Sequence, residues 1–229
     1  MLCRVSTRVV SSPQFFLRIA ALTDDAEDGK EKEKLAALAS NLVATLEVVV
    51  ETTEEQLDER AKDVENVVKA AAEPDSGEFL VPLIPERLQS MRKALEALDE
   101  SALDEGFLST IDAWMNKSHL DGMDLMVQIL QTLLQMYAGT KIYRARKASG
   151  SDNSKPEAQL FDKLLKMESD QWEAEIRKAA EDVPPAALKS EVQKSIETIV
   201  LGLETGSTAQ QVQAEYLREL VARIERVQK

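Results

Sequence analysis

Histidine occurs once, at His119, and cysteine once, at Cys3, in a chain of 229 residues. These two scarcities exclude a good deal of chemistry. A single histidine cannot furnish the paired Glu-x-x-His ligands of a di-iron carboxylate bundle, nor a multi-histidine zinc centre. A single cysteine forms no internal disulfide. His119 lies in the turn-forming run NKSHLDG with no nucleophile near it in sequence, and reads as a helix-end residue. The chain also lacks a Gly-x-Ser-x-Gly elbow, a Walker lysine loop and a Gly-x-Gly-x-x-Gly turn. The run DDAEDG, Asp24 to Gly29, has the beginnings of a calcium-loop spacing. It then places Ala26 at the third ligating position and Leu35 where the bidentate glutamate belongs, so it reads as a solvated acidic turn. No cofactor and no metal are expected, and no catalytic residue is identified.

Glycine (8), proline (7) and aromatics (4%) are also sparse. Their place is taken by Ala, Leu, Glu, Lys and Gln, which lose least entropy in a helix. No strand-like alternation of β-branched and polar residues occurs. The expected fold is all-α, a bundle of about nine mostly antiparallel helices with a long uncharged central helix at about 121–147. A hydrophobic content of 44% supplies a core despite 30% charged residues. There is no 34-residue self-similarity of a tetratricopeptide array and no strict heptad of a long coiled coil.

Acids are absent from the first 23 residues, which carry Arg4, Arg8, Arg18 and several Ser and Thr. A basic, hydroxyl-rich, acid-free opening is the composition of a mitochondrial or plastid transit peptide, or of a short N-terminal arm. Beyond it acids prevail, 41 against 28 basic residues, a formal net charge of −13. That balance repels phosphate backbones and makes nucleic acid an unfavourable partner, whereas other proteins remain suitable ones.

Along the chain, Ser12-Pro13 predicts a helix over 14–22. A second helix is expected from Lys30 to Glu51, with Leu35, Leu38, Leu42, Leu46 and Val49 on one face. Thr53-x-x-Gln56 has the form of a capping box and predicts a break, then a further helix to Ala72 along Leu57, Ala61, Val64, Val68 and Ala71. The proline-rich EPDSGEFLVPLIP, Glu73 to Pro85, is expected to lie extended on the bundle with Phe79, Leu80, Val81, Leu83 and Ile84 covered. Helices over 86–98, 102–116 and 121–147 follow. The run 148–157 is the most linker-like segment. Beyond it a helix over 154–180, capped at Ser154, precedes others over 186–203 and 209–227. This gives an arm (1–23), a first part of the bundle (24–147), a flexible linker (148–157) and a helical hairpin region (158–229) packing on the first part, with one single domain as the alternative. Trp114, Tyr137, Phe161, Trp172 and Tyr216 fall on apolar faces and are expected in the core.

One run stands apart. DLMVQILQTLLQMYAGT carries no charge from Leu125 to Thr140. Its uncharged residues fall short of the roughly 20 that span a bilayer, and three are glutamines, so no transmembrane segment is expected. At 100° per residue Gln128, Gln131, Thr132 and Gln135 make one polar stripe, and apolar side chains wrap the rest. Such a helix is either core or a face covered by a partner. Burial of Leu130, Leu134 and Tyr137 decides for core. Next to it Lys141, Arg144, Arg146 and Lys147 form the one basic concentration in the middle of the chain, at a helix end where cations meet exposed carbonyls. Gln128, Gln131, Gln135, Tyr137, Lys141, Arg144, Arg146 and Lys147 are therefore the partner-binding candidates. The expected function is a non-enzymatic protein–protein interaction module: an assembly factor, auxiliary subunit or scaffold of a plastid or mitochondrial complex. The alternatives are a small-molecule or lipid binder with an apolar inter-helix cavity, and an enzyme using carboxylate, Lys or Tyr chemistry.

Overall fold

The structure is a computed structural model that describes residues 13–25, 28–80, 82–150 and 154–228. Among these the protein is all-α, with nine α-helices and no strand. The helices are α1 (Pro13–Asp25), α2 (Gly29–Lys69), α3 (Pro85–Glu96), α4 (Glu105–Leu120), α5 (Asp124–Ala148), α6 (Pro156–Leu164), α7 (Trp172–Ala179), α8 (Pro185–Thr198) and α9 (Thr208–Val227), with a short 3-10 turn at Val200–Gly202. Two compact units divide the chain, Met1–Asp58 and Glu59–Lys229. Of the expected transit-like arm, residues 1–12, including the Ser12 cap, lie outside the described residues, and from Pro13 onward it is the helix α1.

In the first unit, Ile19 of α1 is buried, and Leu35, Ala39, Leu42 and Leu46 of α2 are half-buried. Much of the remaining apolar surface of α2 is open to solvent. The break expected at Thr53 is absent, since α2 runs unbroken from Gly29 to Lys69. The reason is local. Thr52 and Thr53 donate their hydroxyls back to the carbonyls of Val48 and Val49, both at 2.7 Å, as helix-interior threonines do. Thr53 thus spends its side chain inside the helix instead of capping a new one, and Leu57 stays exposed rather than joining the stripe below it.

The second unit contains two apolar clusters. One gathers Val64, Val67 and Val68 at the end of α2 with Met91 and Leu95 of α3, Phe107, Leu108 and Ile111 of α4, and Ile129 to Tyr137 of α5. The other gathers Ala138 and Ile142 of α5 with Phe161, Leu164, Trp172, Ile176, Leu188, Val192, Leu217, Leu220 and Ile224. Helix α5 therefore enters both. It packs against α3, α4 and α9, while α9 also packs against α7 and α8. Tyr137 stacks on Phe107 in the first cluster, and Trp172 meets Tyr216 edge-on in the second. Trp114 is only half-buried against the first cluster.

Caps and turns explain the boundaries. Asp104 accepts the Phe107 N–H at 2.9 Å and starts α4, and Ser207 accepts that of Gln210 and starts α9. Arg60, near the end of α2, binds the same Asp104 and so ties α2 to the start of α4. Ser154 is not the cap of α6. Lys155 holds that place without a side-chain bond, and Pro156 supplies the first helical residue. Nor does one helix run from 154 to 180. The chain turns over 165–171, and the indole N–H of Trp172 donates to the carbonyl of Leu164 at 3.0 Å, satisfying an end of α6 that a continuous helix would have bonded internally. The segment before α3 is only partly covered: Phe79 and Leu83 pack on the first cluster, whereas Leu80 and Ile84 are exposed. Val81 lies outside the described residues.

Candidate functional site

The uncharged helix α5 is interior along most of its length. Leu130 is 0% exposed and Tyr137 1%, and Ile129, Leu133, Met136 and Ala138 are buried with them. Leu134 is half-buried. The tyrosine hydroxyl donates to the carbonyl of Leu103, and burial pushes its pKa well above the ordinary phenol value. Tyr137 is thus a core residue and not a surface contact. Leu125, at the start of the helix, is exposed.

The glutamine stripe faces outward. Gln128 and Gln131 are exposed, and Gln135 is half-buried with its amide oxygen accepting from Ser169 at 3.2 Å. Two shallow depressions flank it. One, of about 240 Å³, is lined by Leu83, Leu88, Ile129, Thr132 and Glu168 to Asp170. The other, of about 250 Å³, is lined by Leu134, Ala138, Val212, Glu215, Tyr216 and Glu219. Neutral glutamine amides between apolar walls offer both donors and acceptors to a passing chain.

The four basic candidates are brought together on the last turns of α5, but most of them are spent within the fold. Arg146 is 3% exposed. Its Nε binds Asp162 at 2.9 Å, its Nη1 binds Glu191 at 3.0 Å and Ser195 at 2.9 Å, and its guanidinium lies 4.5 Å over the Phe161 ring. A guanidinium with two carboxylates and an aromatic face is an internal pin, so Arg146 is not a surface contact for a partner. Lys147 shares Asp162 at 2.9 Å. Lys141 and Arg144 both hold Glu100, and Arg144 also donates to the carbonyls of Glu96 and Leu98 at 2.8 and 3.2 Å. The exposed carbonyls these cations serve are thus those at the end of α3, not of their own helix. Burial pushes Glu100 up, but the hydrogen bonds from Lys141 and Arg144 outweigh it and hold the carboxyl below its usual range.

Two features lay outside the sequence reading. The first is the bare face of α2. Leu38, Val43, Val49 and Leu57 are exposed within an arc of about 140° at 100° per residue. Val48, on the other side of the helix, is 62% exposed. An 18-residue window of this helix has a mean hydropathy of 1.5 and none of it is buried. The second is a pocket between α3, α5 and the turn after α6, lined by Arg92, Glu96, Gly139, Thr140, Tyr143, Arg144, Leu165 and Lys166. Nothing in the order of these residues joins Arg92 to Lys166, which are far apart in the chain. Among the described residues no three His, Cys, Asp or Glu side chains form a metal-ligating group. No family model matches the chain, and neither a curated protein nor a solved structure matches it significantly.

Proposed function

We propose that this chain is a non-enzymatic helical interaction module that docks a partner protein through the apolar face of α2. The observation that carries the reading is the exposure of Leu38, Val43, Val49 and Leu57 on one helix of an acidic chain. These side chains flank the half-buried Leu35, Leu42 and Leu46, and apolar surface left in water along such a stripe marks an interaction site, because water covers it at a cost of roughly 25 cal/mol per Å². The complementary surface is the apolar stripe of a partner helix, in the manner of helix-in-groove or helix-pair recognition. The glutamine stripe of α5, with Gln128 and Gln131 exposed, is the secondary contact of the proposal. The role that fits is assembly factor, auxiliary subunit or scaffold. The basic, acid-free residues 1–23 support a plastid or mitochondrial setting.

Helix α2 is also long and apolar enough, by length and composition, to cross a membrane. Within that stretch Glu47 would have to lie in hydrocarbon, and no Trp or Tyr marks an interface, which favours a protein partner. Purification of the tagged native protein from its own cells, followed by mass spectrometry, tests the reading against the double variant Leu38→Glu/Val49→Glu. A protein recovered in stoichiometric amount with the wild type and lost with the variant is the expected result. A wild-type chain recovered as a lone monomer, or one that resists alkaline extraction from membranes, contradicts it.

A further inference from the structure

The pocket beside Thr140 is independent of the α2 face. It has a volume of about 240 Å³, and in a chain of net charge −13 its walls carry three cations, Arg92, Arg144 and Lys166, against one carboxylate, Glu96. At its floor sits Thr140, 5% exposed, whose hydroxyl is buried and has no hydrogen-bond partner. That hydroxyl is unusual within this protein. Thr23, Thr45, Thr52, Thr53, Thr110, Thr132 and Thr198 all donate to the carbonyl four residues back, at 2.7 to 2.9 Å. Thr140, equally helical, does not. A buried donor left unmade costs about 1–3 kcal/mol, so a partner from outside the chain is the economical explanation.

The donors around it are partly committed, and what remains free is informative. Glu168 takes Nη2 of Arg92 at 2.5 Å, while Glu100 and two carbonyls take both Nη atoms of Arg144. Arg144 therefore offers no vacant fork to a planar carboxylate, and Arg92 already has one nitrogen committed to Glu168. The Lys166 ammonium is 4.0 Å from the centre of the Tyr143 ring and has no carboxylate within ion-pair distance among the described residues. Single N–H and O–H donors from three separate elements suit a tetrahedral oxyanion, which presents lone pairs in several directions. Gly139 keeps the floor in place: a Cβ there would stand 2.5 Å from the Leu165 carbonyl oxygen, so only glycine lets α5 approach the turn after α6 this closely.

From this geometry we propose that the pocket binds a phosphate group, with Thr140 and Lys166 as its principal ligands and Arg92 and Arg144 as its charged walls. Titration calorimetry of the full chain at constant ionic strength tests this with inorganic phosphate, methyl phosphate and acetate. The expected result is saturable binding of phosphate at one site per chain and little or none of acetate. Methyl phosphate binding as tightly as the free ion assigns the site to phosphate monoesters, and binding of inorganic phosphate alone assigns it to the free ion. Thr140→Val and Lys166→Ala should each weaken binding about tenfold, whereas Lys189→Ala, on a half-buried lysine outside the pocket that pairs with Glu225, should not. Thr140→Val is nearly isosteric and removes a donor that has no internal partner. It should therefore keep the unliganded thermal midpoint while losing the phosphate-induced rise in it. Absence of saturable binding overturns the proposal. So does acetate binding as well as phosphate, or unchanged phosphate affinity in both variants.

Discussion

Between Leu125 and Thr140 helix α5 carries no charge and is mostly interior, whereas α2 between Leu35 and Leu57 carries Glu47, Glu51, Glu54 and Glu55 and leaves its apolar edges in water. Counting charges ranks the two helices in the order in which they are buried, but it does not say that α2 needs a cover that α5 already has. The difference lies in neighbours. Helix α5 packs against α3, α4 and α9 and joins both apolar clusters. In α2 the last turns, with Val64, Val67 and Val68, join a cluster of the second unit, and among the described residues from Gly29 to Asp58 none is fully buried. An apolar stripe therefore becomes core in α5 and stays largely open in α2, because burial belongs to the set of partners and not to the segment alone.

The comparison can be broken at its strongest point first. Arg146→Ala at the end of α5 should destabilise the chain by about 3–5 kcal/mol, since it leaves Asp162 and Glu191 facing each other without their shared cation. Urea titration followed by circular dichroism reads the loss, and a change under about 1 kcal/mol would show the network to be dispensable. Leu133→Ala, at a fully buried position of α5, should cost about 2–5 kcal/mol. The matched substitution Leu38→Ala on α2 should stay within about 0.5 kcal/mol, as exposed sites do. Similar costs for the two would erase the distinction. Gly139→Ala should lose about 1–3 kcal/mol, because its Cβ meets the Leu165 carbonyl oxygen and not a flexible side-chain end.

The smallest effect is electrostatic. Glu100 titrates below its ordinary range in the folded chain, so its ion pairs with Lys141 and Arg144 add stability above the unfolded carboxylate pKa of about 4.3, and that stability is lost as pH falls through the lower folded value. The glutamate is largely exposed, so screening limits the gain to less than about 1 kcal/mol. Glu100→Gln should therefore weaken the fold slightly at pH 7 and not at all in acid. A difference that grew on acidification would carry the wrong sign.

How much of this was legible in the sequence follows the range of each interaction. Pro156, Pro185 and the Ser207 cap are local signals, and the helices begin where they stand. The apolar faces placed Tyr137, Phe161, Trp172 and Tyr216 in the core, where they are, while Trp114 is only half-buried. Thr53 misled, because a threonine hydroxyl serves equally as a cap or as a donor to its own helix, and only the continuing helix decides. The turn at 165–171 was hidden because the Trp172–Leu164 bond that closes α6 is made by a side chain whose spacing also fits a longer helix. The basic cluster was visible as charge, but its carboxylate partners lie 15 to 45 residues away in sequence, at Asp162, Glu191 and Glu100. Exposure of the α2 face had no local sign at all, because the same stripe of Leu35, Leu38, Leu42, Leu46 and Val49 would describe a helix buried in a bundle.

Amide hydrogen exchange on the dilute isolated chain, resolved by mass spectrometry of peptides, addresses the contrast between the two helices most directly. Peptides within 129–142 should exchange only through global unfolding, while those within 35–57 should exchange through local opening at least about a thousand times faster. Equal protection of the two stretches in the isolated monomer would mean that α2 is already covered, and would contradict the docking face assigned to it.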